Sequence, residues 1–344
     1  MISSPLRLRL DGDALVGNWR ALAAMSGAAA CGAAVKADGY GLGAHEVVRR
    51  LAEAGCRDFF VATWNEAAAL TDRGVAVSVL HGVRAEDLAA ALASTTARPV
   101  LNSVQQVRRW REAGGGPCDV MVDTGMNRLG IQPEDVAAGL LDGLNIETLM
   151  SHLASADEDA PLNRVQRDAL AALAGCTLAR RMSLANSAGI ALGRDYAFDL
   201  TRPGISLYGG VQAAAFAGRI GQVVTPEVQV LQRRLVQAGQ SVGYNATWTA
   251  AIDTEVAVVN LGYADGYLRC FSDKGGGRVG GVAVPVIGRV SMDLTALDVS
   301  AAPDLAEGDW VAMDYALPEA ATLSGLSQYE LITGLGARFD RIWH

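Results

Sequence analysis

Val35-Lys36-Ala37-Asp38-Gly39-Tyr40-Gly41-Leu42-Gly43 reads as the end of a buried strand passing through a glycine-rich turn into a helix. Burial disfavours the charged form of an amine, so a lysine placed here becomes a usable nucleophile or base. Of the 29 basic residues only Lys36 and Lys274 are lysine. The chain uses arginine almost everywhere else, yet at residue 36 it keeps the one basic group that condenses with an aldehyde cofactor. The plainer alternative is a snorkelling or salt-bridged lysine. The turn also bears on the fold. Gly39-Tyr40-Gly41-Leu42-Gly43 lacks the glycine spacing of a dinucleotide fingerprint, and no acidic residue follows at the distance needed to hold a ribose. That argues against a doubly wound open sheet.

Outward from this turn, short β-rich runs alternate with stretches of helical period from residue 11 to about 215. The expected strands are Ala33–Ala37, Phe59–Thr63, Val77–Leu80, Pro99–Asn102, Asp119–Asp123, Ile146–His152, Met182–Asn186 and Asp199–Tyr208. Helices are expected at Asp13–Met25, Ala44–Ala54, Trp64–Arg73, Ala85–Ser94, Val104–Glu112, Pro133–Asp142, Asn163–Ala174 and Ala188–Leu192. Eight such units predict a (β/α)8 TIM-type barrel. Beyond residue 220 the helical period fades into alternating Val, Thr and Gly runs, predicting a mainly antiparallel β domain. The expected division is a barrel over residues 1–222 and a β domain over residues 223–344. Leu6–Leu10 alternates Leu and Arg and can add a strand to either.

The 344 residues are 50% hydrophobic and 19% charged, enough for large cores and unlike a disordered chain. A net charge of -8, no basic stripe and 6% aromatics argue against a nucleic-acid partner. No apolar run reaches membrane-spanning length, and Met1–Arg9 lacks the apolar core of a signal peptide. Five scattered cysteines without a CxxC suggest neither a disulfide framework nor a metal site, and point to a reducing, cytoplasmic setting.

In a barrel the strand ends and the loops after them form the active face. Lys36 and Tyr40, Asp123–Arg128, Ser151–Ala154, Asn186–Ala188 and Thr201–Ile205 are all expected there. Ser187 with the amides near Gly204 and Ile205 can cradle a phosphate, or Ser187 can be an ordinary N-cap. Arg202 can point to an aromatic nitrogen or a carboxylate, or make a salt bridge. His152 on an apolar strand reads equally as a satisfied core histidine. Arg128 can hold a substrate carboxylate, with turn chemistry as the alternative for it and Asp123. In the second domain, Gly262-Tyr263-Ala264-Asp265-Gly266 and Ser291-Met292-Asp293 are dense spots. Tyr263 is either a half-buried structural phenol or a proton carrier.

Taken in order, the Lys36 stretch, Asp123-Thr124-Gly125-Met126-Asn127-Arg128, His152, Asn186-Ser187, Arg202-Pro203-Gly204, the Tyr263 stretch and Ser291-Met292-Asp293 resemble the alanine racemases over the whole chain. The resemblance implies a homodimer interconverting L- and D-alanine, supplying D-alanine for the cell wall or degrading it. Pyridoxal 5'-phosphate would be held by Lys36 as an internal aldimine. Lys36 would be one base and Tyr263 of the partner subunit the other, on opposite faces of the Cα. Tyr40, Ser187, Gly204 and Ile205 would hold the phosphate, and Arg202 the pyridine nitrogen. His152 would orient Arg202 and tune Tyr263. Arg128 and the Met292 amide would bind the substrate carboxylate, with Asp293 at the entrance. Two departures stand out. Met121 occupies the place where many members carry a lysine that braces the arginine, and Leu331–Arg338 lacks a tyrosine found near the C-terminus in some members. Ala337 is aligned there, which leaves a roomier pocket and opens alanine versus serine preference. A decarboxylase on the same plan would want an acidic partner at the pyridine nitrogen, against Arg202. A non-catalytic cofactor-binding barrel would have no use for Tyr263.

Overall fold

The computed structural model describes residues 4–344, and the chain divides into two compact units. One is Leu15–Gly221; the other joins Gln222–His344 to the start of the chain, up to Ala14.

The Leu15–Gly221 unit is an eight-stranded parallel barrel. Ala33–Ala34, Asp58–Val61, Ala76–Val79, Ala97–Leu101, Cys118–Met121, Ile146–Met150 and Arg181–Ser183 pair in chain order. Leu200–Thr201 closes the ring. Asp199 and Arg202 donate their amides to the Met182 and Ala185 carbonyls at 3.0 and 2.8 Å, while Leu200 and Thr201 pair with Ala30 and Cys31. The first strand is thus split into Ala30–Cys31 and Ala33–Ala34, facing neighbours on both sides. Gly32 lies at the split because a Cβ there would meet the Asp58 carbonyl at 2.8 Å. Asp58–Val61 is buried along its full length, as a strand covered on both faces should be.

Each expected barrel strand overlaps an observed one, but the observed strands end earlier. Several residues just past the ladder, such as Val35, Val122, Leu184 and Ala185, are buried and apolar too, so hydrophobicity overran the ends. Lys36 is affected. It was expected in the last part of a strand, whereas the strand ends at Ala34 and Lys36 follows the last ladder-like bond, Val35 N–H to the Phe60 carbonyl at 2.8 Å. The helices Ala44–Ala54 and Val104–Glu112 have the expected bounds. Asn163–Ala174 instead runs Pro161–Ala171, since proline favours the first turn of a helix.

Polar side chains of several strands also meet. Arg181 grips Asp58 at 2.6 and 3.0 Å, and the fully buried Asp119 accepts from Arg98 at 2.9 Å and Ser78 at 2.5 Å. Burial raises the Asp119 pKa, opposed chiefly by Arg98.

The second unit is built on Val224–Val236, a strand of 13 residues. Its later part pairs with Thr254–Val259, and from there the ladder continues through Thr295–Asp298, Val282–Ile287, Gly276–Val279 and Trp310–Met313 back to Val224–Val236. Six antiparallel strands therefore close a second barrel, with a register irregularity between Val230 and Gln232 where the long strand changes partners.

Leu6–Leu10 falls in this unit, not with residues 15–221 as the expected 1–222 division had it. It pairs antiparallel with Val224–Val228, and Asp340–Trp343 adds to it in parallel. Leu6, Leu8 and Leu10 are buried, while Arg7 and Arg9 both donate to Glu227, at 2.6 and 2.9 Å. The alternation fitted any half-buried strand; the partner lay more than 200 residues away. If this strand is integral to the second unit, Leu8→Ala should destabilise the protein by about 2–5 kcal/mol, read as a lower denaturant midpoint.

Candidate active site

After Val35 the backbone makes a left-handed helical turn. Ala37, Asp38, Gly39 and Tyr40 have φ of 53, 53, 63 and 57°. Amide-to-carbonyl bonds at 2.8 Å join Gly39 to Val35 and Gly41 to Ala37. Left-handed geometry costs a non-glycine residue roughly 1–2 kcal/mol, so three such residues need external support. Glu66 supplies much of it. Its carboxylate accepts the amides of Ala37 at 2.8 Å, Ala62 at 2.6 Å and Thr63 at 3.1 Å. Asp38 accepts the Ala44 amide at 2.8 Å and starts the next helix. The Tyr40 ring stacks on Tyr208 at 4.7 Å, and Tyr208 donates to the Ala34 carbonyl at 2.9 Å.

This turn brings Tyr40 against Gly204. A Cβ on Gly204 would lie 2.2 Å from the Tyr40 hydroxyl, so glycine is what lets the phenol approach that backbone. The Ser187 hydroxyl oxygen accepts the amides of Gly204 at 2.9 Å and Ser206 at 3.3 Å. Having accepted twice, it still has its own proton to donate. Asn186, not Ser187, caps the short helix, accepting the Gly189 amide at 2.9 Å. Tyr40, Ser187, Gly204 and Ile205 thus gather hydroxyl donors and main-chain amides in one place, a donor set that fits a phosphate.

Arg202 is buried. It donates to the Ser183 hydroxyl, to the Ser151 carbonyl at 2.5 Å and to the Leu184 carbonyl at 3.5 Å. All three acceptors are neutral, and burial lowers its pKa to about 10, against a smaller upward pull from Asp119. Among the described residues the His152 ring makes no hydrogen bond to Arg202; it feels that charge through space. Burial first, then Arg202, Arg128 and Lys36, push its pKa down to about 3. Lys36 is itself lowered by burial, then by Arg128, with Glu66 pulling the other way. The loop carrying Arg128 is wound around Asp123, whose Oδ1 accepts the amides of Gly125, Met126 and Asn127 at 2.9, 2.9 and 3.1 Å. Arg128 is exposed, and among the described residues it makes no hydrogen bond or ion pair; Met121 nearby in sequence is buried and apolar.

The other three residues singled out from the sequence cluster in the second unit. Tyr263 and Ala264 donate their amides to the Ser291 and Met292 carbonyls, both at 3.0 Å. Gly262 packs against the same stretch, where a Cβ would meet the Met292 carbonyl at 2.3 Å. Tyr263 is half-buried with the Arg269 guanidinium 5.3 Å from its ring centre, while Met292 and Asp293 are exposed.

Three supporting residues escaped the sequence reading. Glu66 was legible as the end of a Thr63-x-x-Glu66 capping box. Gln166 holds the loop after the sixth strand, donating to the His152 carbonyl and accepting the Ala154 amide, both at 2.9 Å. Ser183 anchors Arg202. Neither of these two has a local signal.

A suppressed amine among cations, beside hydroxyl and amide donors at a parallel barrel's mouth, is the equipment of an enzyme that captures a carbonyl compound bearing anionic groups. Comparison narrows this class. Residues 10–212 match the family model "Alanine racemase, N-terminal domain" and residues 223–343 match "Alanine racemase, C-terminal domain". The chain therefore belongs to the alanine racemase family. It is 40% identical to an alanine racemase of Acidiphilium cryptum, over 97% of this chain and 98% of that one. It is 43% identical to a catabolic alanine racemase of Agrobacterium fabrum, over 97% and 91%. Among solved structures, the Bartonella henselae alanine racemase with covalently bound pyridoxal phosphate superposes with a TM-score of 0.90 at 32% identity, covering both chains fully. The biosynthetic alanine racemase of Pseudomonas aeruginosa gives 0.89 at 32% identity, over 99% of this chain and 100% of that one.

The His152 shift has a pH consequence. Between its folded value of about 3 and its ordinary 6.5, the unfolded chain binds a proton that the folded chain does not. Stability from this site is therefore full above 6.5 and falls as pH drops, by at most about 1.4 kcal/mol per pH unit. His152→Gln should flatten the pH dependence of denaturant unfolding between pH 6.5 and 4.

Proposed function

We propose that the chain is a pyridoxal-phosphate-dependent racemase that interconverts L- and D-alanine in the cytoplasm, working as a homodimer with shared active sites. The observation that carries the reading is Lys36: an amine whose protonation is suppressed by burial and by Arg128, on a turn shaped to bring Tyr40 to Gly204. Lys36 is the attachment point for the aldehyde, and the barrel unit is the cofactor domain. Tyr40, Ser187 and the Ile205 amide take the phosphate, joined by the Gly204 amide when it leaves the Ser187 oxygen to which it donates here. When bound, pyridoxal phosphate acidifies the Cα–H of the substrate by drawing its electrons into the ring.

The chain's own residues do the rest. The Lys36 amine moves a proton on one face of the Cα, and Tyr263 of the partner subunit moves one on the other. Inversion needs both, because a single base would have to cross the substrate plane. Arg202 would hold the pyridine nitrogen; a guanidinium seldom gives up its proton, so it would leave that nitrogen largely unprotonated and favour return of the proton to carbon. His152 stays neutral and tunes Tyr263; Arg202, expected to be oriented by His152, is held instead by Ser183 and the Ser151 carbonyl. Arg128 and the Met292 amide orient the substrate carboxylate, and Asp293 lines the entrance. With Met121 and Ala337 in place of larger polar groups, serine is the first alternative substrate to test.

Purified protein given pyridoxal phosphate should turn yellow and racemise either pure enantiomer of alanine. Lys36→Ala should lose both colour and turnover. Tyr263→Phe should keep the colour and lose about 100-fold or more in racemisation, with solvent exchange of the α-proton surviving for one enantiomer only. Undiminished exchange of both enantiomers would remove Tyr263 from the mechanism.

A further inference from the structure

Tyr263 sits on a turn clamped by an arginine to which no role has been given. The Asp265 carboxylate, on the same turn, is fully buried. One of its oxygens accepts the Gly262 amide at 3.0 Å and the other accepts Arg338 Nε at 2.6 Å. The same guanidinium, through its NH1 nitrogen, donates to Asp293 at 2.7 Å. Arg338 therefore spans a buried carboxylate under Tyr263 and an exposed one on the Met292 loop, using the fork that only arginine has. Burial of Asp265 makes this pair unlike a loose surface ion pair, because an unpaired carboxylate there has no water to fall back on.

The backbone around this ion triad is assembled without room for slack. Residues 262–266, 291–293 and 334–338 meet main chain to main chain, with glycine at the contacts. A Cβ on Gly262 would meet the Met292 carbonyl at 2.3 Å, and one on Gly266 would meet the Gly334 carbonyl at 2.2 Å. Gly336 donates its amide to the Asp265 carbonyl at 3.1 Å. Directional polar contacts therefore act on backbones already held close. The Arg269 guanidinium lies 5.3 Å from the centre of the phenol ring.

We propose that Arg338 is a positioning residue for Tyr263: by tying Asp265 to Asp293 it sets the turn that aims the phenol and fixes that turn against the loop bearing Met292. The proposal rests on the racemase reading for its catalytic consequence. Its structural half, that Arg338 holds the Tyr263 turn, stands independently.

The test is Arg338→Gln, with two readouts. The first is exchange of the α-proton with solvent, measured separately for L- and D-alanine on the cofactor-loaded enzyme. Misplacing one of two bases should slow exchange of one enantiomer by about 10- to 100-fold and leave the other within about twofold. A structural role alone would lower both equally, and equal losses, or no loss for either, would overturn the proposal. The second is amide hydrogen exchange on the purified protein. It should quicken by about tenfold over residues 262–266 and 291–293 and stay unchanged in the barrel strand Asp58–Val61; unchanged exchange at 262–266 would also overturn it. Should the unaltered protein not racemise alanine, the racemase reading fails, and the amide measurement still decides whether Arg338 holds the turn. Arg338→Lys keeps a cation beside Asp265 but cannot fork to both carboxylates. It is expected to show the same one-sided loss in smaller degree, and it is judged by the same outcomes if the glutamine variant does not fold.

Discussion

A primary amine has to have its pKa lowered while surrounded by hydrogen-bonding groups, and much of the barrel unit follows from that constraint. Desolvation alone would lower the Lys36 pKa; the chain adds Arg128 to the same end and sets Glu66 against it. The carboxylate of Glu66 is occupied by three backbone amides, so it braces the turn, and among the described residues the amine has no hydrogen-bonded counter-ion. The same field keeps His152 neutral and leaves Arg202 with only neutral acceptors. Excess buried positive charge is costly to fold, and it persists where anions are to be received. A phosphate and a carboxylate are the anions that this mouth suits.

Positional accuracy in the two units comes from different physics. In the barrel, the mouth residues hang from strands whose faces are buried on both sides, and their loops are wound by side chains that collect backbone amides: Asp123, Glu66 and Gln166. In the second unit, main chain packs on main chain at glycines, and an ion triad through Arg338 adds direction. The long strand Val224–Val236 supports this by pairing with three other strands, which turns an open ladder into a closed one and removes most free edges.

Local rules reached far along this chain. Ala44–Ala54 and Val104–Glu112 were legible because an amphipathic period and the residues at their ends both lie within a few turns of chain. Barrel strands were legible in place but not in length. Some residues past the strand ends, such as Val35, Val122 and Leu184, are as buried as strand residues, and hydrophobicity does not distinguish them. The polar motifs marked the loops that carry the chemistry. They could not show that the Ser187 oxygen is engaged by Gly204 and Ser206, or that Arg202 would be held by Ser183 and Ser151.

By itself the sequence determined the alternation that builds a parallel barrel, the change to short β-runs near residue 220, and the placing at residue 36 of one of only two lysines. These depend on period, composition and neighbours close in the chain. Tertiary structure alone decided the left-handed turn at Ala37, Asp38 and Tyr40, which none of those residues favours and which contacts such as Glu66 and Tyr208 sustain. It also decided that Leu6–Leu10 pairs with Val224–Val228, and that Arg338 meets Asp265. In each case the deciding partner is distant in sequence, and only the folded chain brings it within bonding distance.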